Sequence, residues 1–281
     1  MEIRRLTSLA RRVDPRYPTN LAIVLLAFSA GALALVYQFF LGADLVSGFP
    51  YAFNVAAIPF LGWALAREID PDRDYSAFLA AGLGLLGFFL YGSPSLLVLL
   101  LVLVSIRVIN RTAGPPATLL DSLLLLGLGI FLTLQNGMLP GILAAGALFL
   151  DGLLPAPNRR NLLFAGLMAL FMVAYGIAEG FSIQQTGFKP AGFLVLAMVT
   201  GLFIPVIFSY RSVRTVCDFP DISLIPDRVQ AGMVFALLGG WLAWLLGAWQ
   251  ILHPVWMAIA AVAVYYLFTL VFAWAQRPLT H

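Results

Sequence analysis

The sequence predicts an all-α polytopic membrane helical bundle of about ten transmembrane helices, with the N-terminus and the C-terminus in the cytoplasm. Three observations carry this expectation. Only 10% of the 281 residues are charged and 62% are hydrophobic, where a soluble domain carries about 25% charged residues; the mean hydropathy is +0.96. The apolar residues fall in blocks of roughly 16–24, the length that ~30 Å of hydrocarbon asks of a helix. Finally, fifteen arginines occupy alternate gaps between those blocks and only Lys189 falls on the other side, which is how cytoplasmic loops are marked. No ten-residue segments of alternating polarity appear, so a transmembrane β-barrel is not expected.

Residues 1–20 read as a cytoplasmic basic segment. Ile3, Leu6, Ala10 and Val13 share one side of a helix, with Arg4, Arg5, Arg11 and Arg12 largely elsewhere, the pattern of an interfacial helix. A solvated tail that only sets orientation is the plainer alternative. Ala30-Gly31-Ala32 resembles a signal-peptidase site, but the apolar run continues to Leu41, so the first block is expected to remain as a span.

Apolar runs bounded by charge, Pro or Gly place helices at about 21–41, 50–66, 76–92, 94–109, 117–134, 138–154, 161–181, 190–208, 230–249 and 252–275. The first ends before Asp44; the second starts at Pro50 and stops at Arg67. Asp74 or Ser76 caps the third, and Gly92-Ser93-Pro94 separates it from the fourth. Gly114-Pro115-Pro116 precedes the fifth, Gly137 parts the fifth from the sixth, and Arg159-Arg160 opens the seventh. The eighth starts at Pro190. Ser209–Val229, with Pro220 and Pro226, is the longest polar connection and leads to the ninth and tenth.

Merging 76–109 into one span would switch every later loop and split the sixteen basic residues eight and eight; the observed sidedness selects an even number of crossings. A re-entrant hairpin over 76–109 would leave every other loop in place. Two full spans are expected there, because a backbone turn at mid-bilayer has to be shielded by protein or water. Residues 21–281 then form a single transmembrane domain. A division near 135–138 would give two five-helix halves, and an odd-numbered half repeats with inverted topology, as in many secondary transporters.

The densest polar cluster is Arg67-Glu68-Ile69-Asp70-Pro71-Asp72-Arg73-Asp74-Tyr75. Carboxylates in such a turn can gather Mg2+, which takes oxygen ligands and keeps positions open for phosphate. Asp218 and Asp221 lie in a second acidic loop on the same expected face, so Asp70, Asp72, Asp74, Asp218 and Asp221 are candidate ligands of a two-metal diphosphate site. The bland alternative is a solvated connector with helix caps. Within the apolar blocks the ionisable residues are Asp121, about one turn into the fifth helix, and Asp151, near the inner end of the sixth. A carboxylate in lipid costs about 2.5–3.5 kcal/mol, so both are expected to face a partner or the interface. Arg67, Arg107 and Arg111 lie at similar depth and are the candidate partners. Asn110-Arg111-Thr112 forms a turn whose donors suit a phosphate or a lipid headgroup.

Cys217 is the only cysteine, and His253 is expected on the opposite side of the membrane. HExxH, GxSxG, P-loop and CxxC patterns are lacking, which excludes the chemistries that depend on them. The arginines form no continuous basic surface, so nucleic acid is not an expected partner. Three functions stay open: a transporter or permease for a small solute or lipid, with the Asp121/Asp151 level as inner gate; a membrane-embedded Mg2+-dependent enzyme acting on a lipid or prenyl diphosphate; and a non-catalytic subunit of a membrane assembly. Expected partners are membrane lipids, a small-molecule or lipid substrate, and a further subunit or copy. Arginine far outnumbers lysine, pointing to a GC-rich bacterial or archaeal genome and its cytoplasmic membrane.

Overall fold

The structure, a computed structural model, describes residues 7–9, 13–180, 190–217 and 223–276. Among these the chain is all helical apart from one isolated bridge between Val216 and Ser223. Ten helices follow in order: α1 Pro18–Phe40, α2 Leu45–Ile69, α3 Ser76–Tyr91, α4 Leu96–Asn110, α5 Leu119–Asn136, α6 Leu139–Leu153, α7 Arg160–Glu179, α8 Pro190–Ser209, α9 Pro226–Leu245 and α10 Trp249–Ala275. Seven are long and apolar enough to cross a membrane, namely α1, α2, α5 and α7 to α10. The other three are apolar but shorter, at 16 residues for α3 and 15 each for α4 and α6, or roughly 22–24 Å at ~1.5 Å per residue.

Each expected helix is present, and the boundaries move where caps and charges overrule the apolar run. Helix α2 starts five residues before Pro50 because the Asp44 side chain accepts from Ser47 N at 2.8 Å and caps the first turn. It also continues past Arg67, keeping Glu68 inside the helix. Helix α9 starts at Pro226, four residues earlier than expected; proline suits the first turn, where its missing N–H costs nothing. That shift places Arg228 inside a helix.

Helix α4 is the hub. It packs against α2, α6, α9 and α10, and Leu99, Leu101, Ile106 and Ile109 are fully buried. Helix α10 lies along α3 and α2, α5 to α7 pack on one another, and α1 and α8 are peripheral, against α2 and against α10 and α9 respectively. Close approach of α1 to α2 requires Gly31: a Cβ there would stand 2.8 Å from that of Ala56. Outward faces are apolar, with Phe28 75%, Val46 81%, Ile177 76% and Phe208 72% exposed. Faces of this kind are stable against hydrocarbon and not against water.

The α3–α4 turn reaches as far as the connection between α9 and α10. Tyr91 packs edge-on against Trp249, the first residue of α10, with ring centroids 5.6 Å apart, and Ser93 donates to the Asn54 side chain at 3.0 Å. Beside it Tyr51, Asn54, Phe88, Phe89, Gly92 and Ser93 line an aromatic cavity of ≈ 330 Å³.

Candidate functional site

The chemically capable residues gather at the opposite end, where the C-terminal ends of α2, α4, α6 and α8 meet the N-terminal ends of α5, α7 and α9. Glu68, Asp70, Asn110, Thr112, Asp121, Ser122, Asp151, Asn161 and Arg228 are each at most 2% exposed there. Burial of so many polar groups is tolerable only if each finds a partner.

Asp151 is the centre of the largest group. Its Oδ1 accepts from Arg111 Nη2 at 2.8 Å and from Arg228 Nη1 at 2.9 Å, while Oδ2 accepts from Asn161 Nδ2 at 2.8 Å. Asn161 Oδ1 in turn accepts from Ser122 Oγ at 2.6 Å. One carboxylate thus faces two guanidinium groups, leaving a formal excess of one positive charge. Main-chain carbonyls offset it: Arg228 also donates to Ile109 O and Pro155 O, each at 2.8 Å, and more weakly to Asp151 O and Ala156 O. Ile109 O and Asp151 O belong to the last turns of α4 and α6, where unsatisfied carbonyls carry partial negative charge, and Pro155 and Ala156 come just after α6. Arg111 reaches Asp151 because it ends α4 in the left-handed conformation, at φ 56°.

Glu68 forms the second group. It accepts from Arg107 Nε at 2.7 Å and from the Thr112 hydroxyl, and its main-chain oxygen accepts from Asn110 Nδ2 at 2.7 Å. Asn110 lies against Gly232 of α9 so closely that a Cβ on that glycine would stand 1.9 Å from Asn110 Oδ1. The first and second groups therefore bind α2, α4, α6, α7 and α9 together at one level.

Asp121 was expected to meet an arginine; among the described residues it meets none, and its position explains why. As the third residue of α5 it completes a capping box with Thr118, so its carboxylate turns back over the helix start. There it accepts from Ser8 N and Ser8 Oγ, both at 2.9 Å, from Thr118 N at 2.8 Å and from the Thr7 hydroxyl. Leu9 O accepts from Arg107 Nη1 at 3.3 Å. The N-terminal strand of residues 7–9 is strapped across this end of the bundle. Most of the expected amphipathic segment, including Arg4, Arg5, Arg11 and Arg12, lies outside the described residues.

The 70–74 loop meets the first residues of the connection after α8. Tyr210 donates its hydroxyl hydrogen to Asp70, and the same oxygen accepts from Asp72 N at 3.2 Å. Asp72 accepts from Thr215 N at 2.8 Å and from Arg214 N, and Thr215 Oγ1 donates to Pro71 O. Arg73 Nη1 donates to both Asp70 oxygens, at 3.2 and 3.1 Å, and Asp74 pairs with Arg67 at 2.5 Å. Burial pushes the Asp70 carboxyl above its ordinary range against the opposing pull of Arg73. Burial, then the Asp70 charge, pushes the Tyr210 phenol up as well. Between the loops Asp72, Arg73, Ser209, Tyr210, Ser212 and Arg214 line a polar cavity of ≈ 210 Å³.

Of the expected residues, Asp151 and Arg111 are brought together, Arg107 is used by Glu68, and Asn110 holds the end of α2. Asp70, Asp72 and Asp74 each serve a different partner, and among the described residues no three His, Cys, Asp or Glu side chains are grouped to hold a metal ion. Asp218 and Asp221 lie outside the described residues. Sequence reasoning missed Glu68, Asn161, Tyr210 and Arg228. A basic residue two positions after a helix-opening proline was the available signal for Arg228. His253, fully buried against Gly87 and Tyr91, belongs to the far end. No family model, curated protein or solved structure matches this chain.

Proposed function

We propose that the chain is a multi-pass permease for a small solute or lipid in a bacterial or archaeal cytoplasmic membrane, its ten helices crossing ten times with both termini inside. The observation that carries this reading is the Asp151 group: a fully buried carboxylate with two arginines, drawn from α4, α6, α7 and α9. Ionised groups inside a membrane bundle are costly and mark pathways and gates. Here they close the inner end over the apolar core around α4, and across the 135–138 division, since Arg111 precedes it and Asp151 and Arg228 follow it. The depth of the α3–α4 turn supports two crossings by residues 76–109.

A second reading, an enzyme acting on a lipid or prenyl diphosphate, is supported by the meeting of the 70–74 loop with the loop after α8. Under that reading Asp70, Asp72 and Asp74 would exchange their present partners for Mg2+, with Asp218 and Asp221 as the further ligands.

Cysteine accessibility tests the permease reading without a known substrate. Ser105 of α4 is fully buried beneath the charged layer. In a Cys217→Ser background, Ser105→Cys in inside-out vesicles should react slowly with a membrane-impermeant maleimide and at least tenfold faster when Asp151→Asn is added. Absence of labelling in both variants would mean a layer that never opens, and the permease reading would fall.

A further inference from the structure

The cavity between the 70–76 loop and the end of α8 has no role in closing the bundle, yet polar contacts hold the side chains on one of its walls. Arg73 is fixed on three sides. Its Nη1 is held by Asp70, its guanidinium lies 5.8 Å from the Tyr210 ring centroid and 4.7 Å from that of Tyr266, and its Nη2 points to Ser209 Oγ at 3.5 Å. That last contact is long, so one edge of an immobilised guanidinium is available. Such an edge is the preferred donor for a phosphate-type oxyanion, because little side-chain freedom is lost on binding.

The opposite wall supplies Ser212 and the exposed Arg214. The one carboxylate on the lining, Asp72, is occupied by the Arg214 and Thr215 amides, which reduces its repulsion of an anion. A volume of ≈ 210 Å³ corresponds to about seven waters at ~30 Å³ each. That is room for a phosphate or diphosphate group and too little for a nucleotide, since sites for larger ligands run to about 300–1,000 Å³. The cavity is at the terminus of α8, a helix long and apolar enough to cross a membrane, whose Phe208 exposes an apolar side chain; the end of a spanning helix is where a bilayer presents its lipid phosphates.

We infer that the Arg73–Ser209–Ser212–Arg214 cavity is a binding site for a phosphate-type oxyanion, carried either by a lipid headgroup or by a free phosphate or diphosphate. The inference adds a ligand class to the permease reading and rests on it only for which side of the membrane the site faces.

The test is binding to the purified full chain in an uncharged maltoside detergent. Inorganic diphosphate is titrated by calorimetry without divalent metal, and retention of phosphatidic acid is followed by native mass spectrometry. Arg214→Gln is the primary variant, because its side chain is exposed and makes no contact that holds the fold. Arg73→Lys, which keeps charge but loses the planar fork, is the second. Saturable diphosphate binding weakened about tenfold by Arg214→Gln supports a free-anion source. Retained phosphatidic acid that Arg214→Gln releases, with no diphosphate binding, supports the headgroup. If neither probe binds, or if binding is the same in wild type, Arg214→Gln and a correctly folded Arg73→Lys, the inference is overturned. Because the assay requires no gate opening, it fails or succeeds independently of the Ser105 labelling experiment.

Discussion

Asp151→Asn removes one charge and hardly changes shape, so it isolates what the carboxylate does. The neutral side chain can still offer one oxygen to Arg111 and Arg228. Its new amide would face the Asn161 amide, but that clash can be relieved by rotation: Asn161 exchanges oxygen for nitrogen, and Ser122 Oγ, which also donates to Thr118 O at 3.0 Å, becomes the acceptor. What cannot be relieved is the charge. Arg228 is 0% and Arg111 10% exposed, and no other carboxylate pairs with either among the described residues. Removing one member of a buried ion pair costs about 3–5 kcal/mol. At ~2–4 °C per kcal/mol for a chain approaching this size, the unfolding midpoint should fall by roughly 6–20 °C. Differential scanning fluorimetry in detergent reads this directly. Arg228→Met should also destabilise, by leaving the carbonyls of Ile109 and Pro155 unpaired. The double variant strands one fewer cation, so its loss should be smaller than the sum of the single losses. An Asp151→Asn midpoint within about 2 °C of wild type would refute the assignment of Asp151 as the counter-charge of this layer.

Two further outcomes follow from the neighbouring carboxylates. Asp121→Asn weakens a capping box and three further donated hydrogen bonds, at a cost of about 0.5–2 kcal/mol; trypsin should then cut after Arg11 or Arg12 about 2- to 30-fold faster than in wild type, as seen by N-terminal sequencing of the product. Asp70→Asn should be milder than Asp151→Asn, because burial already favours the neutral form of Asp70. With its folded pKa raised, Asp70 contributes stability that is present below its unfolded value of about 3.9 and lost as pH rises through the folded value. The midpoint of Asp70→Asn should therefore gain on that of wild type as pH rises from about 4, and a constant difference would contradict the burial of this carboxyl.

The helices were legible because each is an apolar run of roughly membrane-spanning length bounded by charge, Pro or Gly, and arginine sidedness supplies the alternation proposed for them. Partner choice was not legible at the same level. Asp121 and Asp151 look alike in sequence, each an aspartate within a turn of a helix end, yet one caps its own helix and the other collects two arginines. The difference is made by helix polarity: a carboxylate in a first turn finds its own amides, whereas one in a last turn faces carbonyls and needs external donors. Glu68 and Arg228 were read as loop charges because one apolar run stops before Glu68 and another starts after Arg228, although α2 continues to Ile69 and α9 opens at Pro226. The contact of the 70–74 loop with the loop after α8 spans about 140 residues, as in the Tyr210–Asp70 pair, and no local pattern reports so distant a neighbour.

The strap of residues 7–9 has a consequence for biogenesis. Thr7 leaves the ribosome before any of the ten helices, whereas its acceptor Asp121 is made 114 residues later, or about 6–23 s at ~5–20 residues per second. Until α5 emerges and its first turn forms, residues 7–9 have the Arg107 contact of α4 but lack the Asp121 carboxylate. Full attachment of the strap therefore follows the synthesis of α1 to α4 and the first turn of α5, so a substitution that delays that turn would leave residues 7–9 without their main acceptor for longer.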